Sequence, residues 1–218
     1  MSNRGAVHFR PMTEDPEDPI DLTVAIEFLR GHLSGLLRFD GDMRPVKIIV
    51  DREGRLFAPV MVAMIRSVDT VMCVPDDDDE AMQMQVTLEE VTEDGPHAAL
   101  CDRWKAYHGD PPDVRWARMA IDAARWDGLF IDGDALMVPN ALADAEAGIV
   151  REINRGPVAR LQAACRRHGG HELEKPVLVG VDPDGFDVRG LFGTVRVPAG
   201  SPIRDLASAI AALEAAGR

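Results

Sequence analysis

Cysteine is scarce in this sequence, and long apolar runs are missing from it. Its 218 residues include three cysteines, Cys73, Cys101 and Cys165, which are scattered and odd in number. This pattern argues against a disulfide framework and is typical of a reducing cytoplasm, and without a CxxC pair we expect no zinc-thiolate site. No run approaches the roughly 20 apolar residues that span a bilayer, and the first residues contain no apolar signal core. We therefore expect a cytoplasmic protein with no membrane partner.

Positive charge is also in short supply. Lysine and arginine together number 24 against 37 aspartates and glutamates, which gives a net charge of −13. The average field of such a protein repels a polyanion such as DNA. Five arginines do fall in one segment, and we interpret them as a solvated helix face. They are Arg151, Arg155, Arg160, Arg166 and Arg167. The sequence therefore predicts no nucleic-acid partner.

The remaining composition is that of a globular protein. Apolar residues make up 46% of the chain and charged residues 28%, which is ordinary for a folded domain. This length allows one large or two small domains with a sizeable core. Residues 1–20 are polar and contain Pro11, Pro16 and Pro19, so we predict a flexible lead there.

Alternating apolar and polar residues predict a mainly antiparallel β region near 40–138. Apolar residues at helical spacing predict a helix over about 21–35 before it, and a second helix over 97–108 within it. The six predicted strands cover 46–50, 56–65, 68–75, 81–91, 114–125 and 129–138. For 114–125 a helix is the alternative on propensity. Six short strands separated by turns suit a small barrel.

From Asn140 the pattern changes to helical spacing, with Asn140 as the expected N-cap. Gly156-Pro157 interrupts the helix, because proline lacks a backbone donor and clashes with the preceding turn, and Gly169-Gly170 ends it. A last helix follows near the C-terminus, with Ser201 as its cap and Pro202 in its first turn.

Between these helices lies "VLVGVDPDGFDVRG", residues 177–190, with three carboxylates in six residues. A calcium loop needs glycine at its sixth position and glutamate at its twelfth, and counting from Asp182 these positions hold Asp187 and Leu191. Proline followed by Asp-Gly instead favours a tight turn. We therefore predict a β-hairpin whose acids lie on the solvent side of the turn.

Three stretches carry a resemblance to a known family. They are "GLLRFDGDMRPVKIIVDREGRL" (35–56), "ARWDGLFIDGDALMVP" (124–139) and the segment 146–189. The chain resembles the FMN-binding split-barrel family, the pyridoxamine-phosphate-oxidase-like group, and within it the haem-utilisation branch. The resemblance implies an α+β protein: an antiparallel six-stranded split β-barrel over 21–140, then a small C-terminal α+β domain over 141–218. It also implies a homodimer.

The resemblance implies that cations near the predicted barrel strands bind the FMN phosphate, because this phosphate needs positive charge and hydrogen-bond donors around it. Lys47 and Arg66 fit best by position, Ser67 follows Arg66, and Arg44 precedes Lys47. These four are the predicted FMN-binding residues. The alternative is that they are ordinary surface side chains of an acidic protein.

Haem needs a proximal ligand, most often histidine. His168 and His171 are the only closely paired histidines, and Arg166 and Arg167 beside them could meet the propionates. We name His168 and His171 as candidate iron ligands. The alternative is a pair of exposed loop histidines. Tyr107-His108 with Trp104 could line a pocket, although such spacing is more often found in a core.

Two functions of different classes remain open at this point, and a flavin-dependent reductase of small molecules is a third option between them. The first is a haem- or FMN-binding protein linked to haem utilisation or flavin redox chemistry, and, if it is an enzyme, an oxidoreductase. The second is a catalytically degenerate homodimeric binding or regulatory module without a cofactor. The second is favoured by a departure from the branch's His-Met-Asn-x-Asp-His pattern, of which only Asn154 remains in the segment 152–157.

Overall fold

A computed structural model describes residues 22–111, 115–169, 173–191 and 193–218 of the chain, so the predicted flexible lead lies outside the described residues. The first part is a helix followed by strands with short helices between them. Its elements are α1 (Leu22–Gly31), β1 (Ser34–Phe39), β2 (Asp42–Lys47), β3 (Ile49–Val50), β4 (Leu56–Val60), α2 (Val62–Arg66), β5 (Thr70–Val74), β6 (Met82–Val91), α3 (Ala98–His108), β7 (Arg115–Trp126), β8 (Leu129–Asp132) and α4 (Gly133–Leu136).

The strands of this part form one antiparallel sheet that curls into a half-barrel. The order is β2-β1-β5-β6-β7-β4-β3, and β8 pairs with β7. The two ends of this order, β2 and β3, are separated along the chain only by Ile48, so the ends of the sheet lie next to each other. The predicted antiparallel β region is confirmed, but the sheet has eight strands where the sequence predicted six.

The two additional strands have separate causes: the predicted strand over 46–50 is divided at Ile48 between β2 and β3, and β1 was not predicted. Leu33 and Leu36 continue the helical spacing of α1, so the predicted helix ran to residue 35, whereas it ends at Gly31. Gly35 then packs so closely on β5 that an added Cβ would lie 2.1 Å from the carbonyl oxygen of Cys73. A glycine that permits close backbone approach indicates strand pairing rather than a helix end.

Two predicted strands are shorter than expected. The strand over 56–65 ends at Val60 and gives way to α2, because a short apolar run does not by itself distinguish a helix from a strand. The strand over 129–138 ends at Asp132, whose carboxylate accepts a hydrogen bond from the backbone N–H of Asp134 at 2.9 Å and so caps α4.

The inside of the curled sheet is filled by apolar side chains, methionines prominent among them. Met64, Met72, Met82 and Met84 are all buried, so these four fill the half-barrel and do not form an exposed apolar surface. Met61 is 49% exposed and does not contribute to this core.

Helix α3 covers part of the outer face of the sheet. Trp104 and Tyr107 are buried there with Phe57 and Trp116, and the Trp104 indole N–H donates to the carbonyl oxygen of Lys47 at 2.8 Å. The predicted helix over 97–108 is confirmed, and this packing brings its last turn close to the end of β2.

The second part of the chain has its own core, formed by a small sheet and three helices. Its elements are α5 (Glu146–Arg155), α6 (Val158–Gly169), β9 (Val177–Asp182), β10 (Gly185–Arg189), β11 (Thr194–Pro198) and α7 (Leu206–Ala216). The antiparallel sheet has the order β11-β10-β9. The break between α5 and α6 at Gly156-Pro157 is confirmed, and so is the mixed α+β character of the chain.

The cap predicted for the last helix was wrong. Asp205, not Ser201, caps α7 and accepts a hydrogen bond from the Ser208 backbone N–H at 2.8 Å. Ile203 is buried, and its backbone N–H donates to the Pro183 carbonyl at 2.8 Å. This bond holds the residues after Ser201 in a loop, so the helix begins later. No helix within the described residues is long and apolar enough to cross a membrane.

Candidate functional site

The hairpin of β9 and β10 is confirmed, but the prediction that its acids face solvent was wrong for Asp182 and Asp187; the Asp184 side chain is 39% exposed. Asp187 is 8% exposed, and the side chain of Asp182 is 13% exposed. Asp182 stabilises the turn by accepting the backbone N–H groups of Asp184 at 2.8 Å and Gly185 at 3.1 Å. It also accepts from Arg196 Nη2 at 2.6 Å.

Arginines from distant parts of the chain explain this burial. Arg196 on β11 also donates to Asp187 at 3.1 Å, and Arg30 at the end of α1 donates to Asp184 at 2.6 Å. Burial opposes ionisation of Asp182, but the charges of Arg196 and Arg30 outweigh it and hold its pKa below the ordinary value. The hairpin is therefore an ion-paired joint between the two parts of the protein.

Tyr107 extends this network into α3. Its hydroxyl donates to Asp187 Oδ2 at 2.8 Å and accepts from Arg103 Nη2 at 3.3 Å. Arg103 also pairs with Glu146 at 2.9 Å. Burial and the charge of Asp187 raise the pKa of Tyr107 well above its usual value. At Gly180, an added Cβ would lie 1.7 Å from the phenol oxygen, so only glycine leaves room for this contact.

A cavity inside the network has a volume of about 20 Å³ and is lined by Arg30, Arg103, Tyr107 and Asp187 among others. Such a volume holds about one water molecule. Arg103 Nε is a buried donor without a hydrogen-bond partner among the described residues, and it is suited to donate a hydrogen bond to a water molecule in this cavity. The network is too tightly filled to hold an organic cofactor.

A larger pocket, here called the junction pocket, opens where the end of α3 meets the C-terminal sheet. Its volume of about 440 Å³ lies within the roughly 300–1,000 Å³ of small-molecule sites. Both parts of the chain form its walls. Its lining residues are Lys47, Tyr107, His108, Gly109, Glu174, Lys175, Val177, Arg189, Gly190, Leu191 and Gly193.

The charged side chains of the junction pocket are mostly cations. Lys47, Lys175 and Arg189 face one carboxylate, Glu174, in a protein whose net charge is −13. Arg189 is anchored by a hydrogen bond from Nη1 to the Ala106 carbonyl. Lys175 has a left-handed backbone with φ of 49°, which costs a residue with a side chain about 1 kcal/mol. The wall is suited to a ligand with an acidic group.

His108 lies in the same wall at the end of α3. Its Nε2 is 2.9 Å from the carbonyl oxygen of Ile48, and its ring lies 4.8 Å from that of Trp104. Burial is the largest influence on the pKa of His108 and lowers it; the hydrogen bond with the Ile48 carbonyl opposes this effect, and the charge of Lys47, a smaller influence, adds to it. The net lowering of the pKa favours the neutral imidazole.

Of the predicted FMN-binding residues, Lys47 lies in the junction pocket. Arg44 is exposed on β2 and donates to the Met43 carbonyl at 2.9 Å. Arg66 is exposed at the end of α2, a different element. The prediction for these residues remains a prediction.

Ser67 lies beside acids. Its hydroxyl donates to Asp40 Oδ1 at 2.9 Å. An adjoining open pocket of about 460 Å³ is lined by Arg38 and by Asp40, Asp42 and Asp69. Carboxylates outnumber the arginine there, so the surroundings of Ser67 disfavour a phosphate group.

His168, the first of the predicted haem ligands, is exposed in the last turn of α6. His171 lies outside the described residues. Within the described residues, no group of three or more His, Cys, Asp or Glu side chains could hold a metal ion.

Lys175 and Arg189 are binding-site candidates that the sequence did not predict. Neither residue stands in a recognisable binding motif, and they join Lys47 only because β10 packs against the end of α3. A signal was present at Tyr107-His108, which the spacing marked as either core or pocket lining. The structure shows both, with Tyr107 buried and His108 half-buried in the pocket wall.

Together these features define an α+β protein with a curled antiparallel half-barrel, an ion-paired joint and a cationic junction pocket. A protein of unknown function from Agrobacterium tumefaciens has a solved structure with a TM-score of 0.71 and 15% identity, and the match covers 91% of this chain and 95% of that one. At this identity the likeness shows a shared fold alone.

A heme binding protein from Mycobacterium smegmatis is also similar, with a TM-score of 0.41 and 18% identity over 90% of this chain and 95% of its own. This TM-score is too low to support an inference about function. No protein-family model matches the chain, and a search of curated proteins finds no match.

Proposed function

We propose that this protein binds a planar anionic cofactor, FMN or haem, through cations in the junction pocket. In this proposal the curled sheet over 21–140 is a split barrel of the pyridoxamine-phosphate-oxidase-like class. Residues 141–218 form the C-terminal α+β domain of the haem-utilisation branch. The fold shared with a solved structure and the resemblance in sequence support this classification.

The observation that carries the proposal is the gathering of Lys47, Lys175 and Arg189 around a pocket of about 440 Å³. Charge-assisted hydrogen bonds to phosphate or carboxylate are stronger than neutral ones. Glycines at 109, 190 and 193 and the apolar Val177 and Leu191 complete the wall, which leaves surface for the flat part of a ligand.

The residues present fit the acidic groups of either cofactor. The three cations can hold an FMN phosphate or the propionates of haem. The proposed ligands of the haem iron are His168 and His171. When bound, either cofactor would supply redox chemistry, while the protein holds it and sets its electrostatic surroundings.

The wider proposal is a cytoplasmic homodimer that works as an oxidoreductase if it is an enzyme. The resemblance supports the homodimer, and the three cysteines, all free and buried, support a reducing compartment.

Titrations of the purified protein with FMN and with haem, followed by absorbance, test the proposal. Lys175→Gln removes one pocket cation at an exposed position and should weaken binding about tenfold, the loss expected for one charge-assisted contact. Arg66→Gln is the matched control, because Arg66 is exposed on α2, away from the pocket wall.

Weaker binding by Lys175→Gln with normal binding by Arg66→Gln supports the junction pocket. The reverse pattern would place the cofactor at the position that the sequence pattern predicts. If the protein binds neither FMN nor haem, the proposal is refuted.

The second candidate, a homodimeric module without a cofactor, is favoured by the exposed, separate positions of Arg44 and Arg66 and by the contact of Ser67 with Asp40. Sedimentation velocity together with the two titrations distinguishes it. A stable dimer that binds neither FMN nor haem supports the module, and a monomer contradicts it.

A further inference from the structure

Among the described residues, one buried donor of the ion-paired joint lacks a hydrogen-bond partner. It is Arg103 Nε, whereas Nη2 of the same side chain donates to the Tyr107 hydroxyl at 3.3 Å and to Glu146 at 2.9 Å. Folded proteins rarely leave a buried donor unsatisfied, because the lost hydrogen bond to water costs free energy. A guest in the cavity that Arg103 lines can supply the missing acceptor.

The charged side chains that line this cavity balance one another. They are the arginines Arg30, Arg103 and Arg196 and the aspartates Asp51, Asp182 and Asp187. Each of these aspartates is paired with an arginine at 2.6–3.1 Å. An added ion would therefore lie in the cavity without a counter-charge, and a buried unpaired ion is costly.

These features restrict the guest to one chemical class. It must accept a hydrogen bond from Arg103, which excludes metal and ammonium ions because they have no lone pair to offer. A halide ion accepts hydrogen bonds but adds an unpaired charge, and an organic molecule is too large for a cavity of about 20 Å³. Water is neutral, both accepts and donates hydrogen bonds, and fits a cavity of this volume.

An acceptor for the protons of such a water is available at Asp187. This carboxylate accepts from the Tyr107 hydroxyl on Oδ2 and from Arg196 on Oδ1, whereas an ionised carboxylate has about four lone-pair sites. Asp187 and Arg103 both contact the Tyr107 hydroxyl, and both line the cavity. A donor and an acceptor for one water molecule therefore meet at the same cavity.

We infer that the joint is a binding site for a single water molecule, which accepts a hydrogen bond from Arg103 Nε and donates one to Asp187. Arg103 lies on α3 of the first part of the chain and Asp187 on β10 of the second, so the water links the two parts. This cavity is not the junction pocket, and the inference does not depend on the proposed function.

A crystal structure of the full-length protein, followed by a bromide soak, tests the identity of the guest. The expected result is a water-sized density peak about 2.7–3.2 Å from Arg103 Nε, without anomalous bromide scattering at that position. A bromide peak there would overturn the inference, and so would an empty cavity or an Nε that is bonded to a protein group.

Filling the cavity tests the energetic role of the water, and the sign of the effect is decisive. Val50 lines the cavity, and Val50→Ile adds one methylene group to its wall. If the cavity needs no guest, the added group should leave stability unchanged or raise it. If the added group displaces the water, Arg103 Nε loses its acceptor, and the equilibrium constant of unfolding in urea should rise about tenfold.

Overpacking also lowers stability, so the same substitution is made in Arg103→Lys, which keeps the positive charge beside Glu146 but lacks Nε. The loss of stability caused by Val50→Ile should be smaller in that background. A stabilising effect of Val50→Ile, or an equal loss in the two backgrounds, would show that no water bound to Arg103 was displaced, and the inference would be wrong.

Discussion

The chain contains a single tyrosine, so Tyr107→Phe tests the buried joint with one substitution. The hydroxyl donates to Asp187 at 2.8 Å and accepts from Arg103 at 3.3 Å. A hydrogen bond to a charged group contributes about 1.5–3 kcal/mol, so we expect the free energy of unfolding at pH 7 to fall by about 2 kcal/mol. For a chain of this length, the melting temperature should drop by roughly 4–8 °C.

The effect should depend on pH with a definite sign. Burial and the charge of Asp187 raise the pKa of Tyr107, so the folded protein keeps the phenol proton that the unfolded chain loses above about pH 10. The contribution of Tyr107 is therefore complete below that pH and declines above it by about 1.4 kcal/mol per pH unit. The deficit of Tyr107→Phe should shrink from about 2 kcal/mol at pH 7 to about 0.6 kcal/mol near pH 11.

Urea denaturation at both pH values, followed by tryptophan fluorescence, measures the deficit, and tyrosinate absorbance reports Tyr107 alone. Thr70→Val is the control, because its buried hydroxyl bonds the Val86 carbonyl and does not titrate near pH 10. Its deficit should be equal at the two pH values. Reversible ionisation of the folded wild type near pH 10, or an unchanged Tyr107→Phe deficit at pH 11, would refute this reasoning.

Three further substitutions test neighbouring contacts. Gly180→Ala places a methyl group 1.7 Å from the Tyr107 oxygen and should lower the free energy of unfolding by about 1–3 kcal/mol. In a double-mutant cycle with Tyr107→Phe, the two losses of stability should be less than additive, because the phenylalanine lacks the clashing oxygen. Lys175→Asn should change the free energy of unfolding by less than about 0.5 kcal/mol, since asparagine tolerates left-handed backbone, yet weaken FMN binding in a titration. Arg196 and Arg30 lower the pKa of Asp182 against the effect of burial, so the ionised Asp182 stabilises the fold above about pH 4 and this contribution is lost as the pH falls. In Asp182→Asn, the free energy of unfolding should therefore decrease less steeply as the pH falls below about 4.

Local patterns predicted much of the secondary structure. Alternation over 81–91 marked β6, and the turn residues Asp182 to Gly185 marked the hairpin of β9 and β10, because such signals lie within a few neighbouring residues. Strand β1 was missed because Leu33 and Leu36 continue the spacing of the preceding helix. That ambiguity is resolved only by the pairing of β1 with β2 and β5.

The candidate site could not be predicted in this way, since its partners are remote in the chain. Asp182 looked like a solvated turn residue because Arg30 and Arg196, which neutralise it, are not its neighbours in sequence. Lys47 and Arg189 likewise meet only through the packing of α3 on β10. In the sequence of an acidic protein, Lys47 or Arg189 considered alone cannot be distinguished from an ordinary surface charge.

The joint and the junction pocket share one face of β10. Alternate side chains of a strand point to opposite faces, and Phe186 and Val188 are buried in the C-terminal core. Asp187 instead contacts α3 through Tyr107, and Arg189 does so through the Ala106 carbonyl. The residues that hold the joint together therefore also position a wall of the pocket.

This arrangement implies that loosening the joint weakens ligand binding at a distance. Asp182 does not line the junction pocket, yet Asp182→Asn removes a charge that holds β9 and β10 against Arg30 and Arg196. We expect this variant to bind FMN more weakly at pH 7, while Thr70→Val, which perturbs the inside of the half-barrel, binds normally. Equal affinity in the two variants, at matched losses of stability, would show that the joint and the pocket are independent.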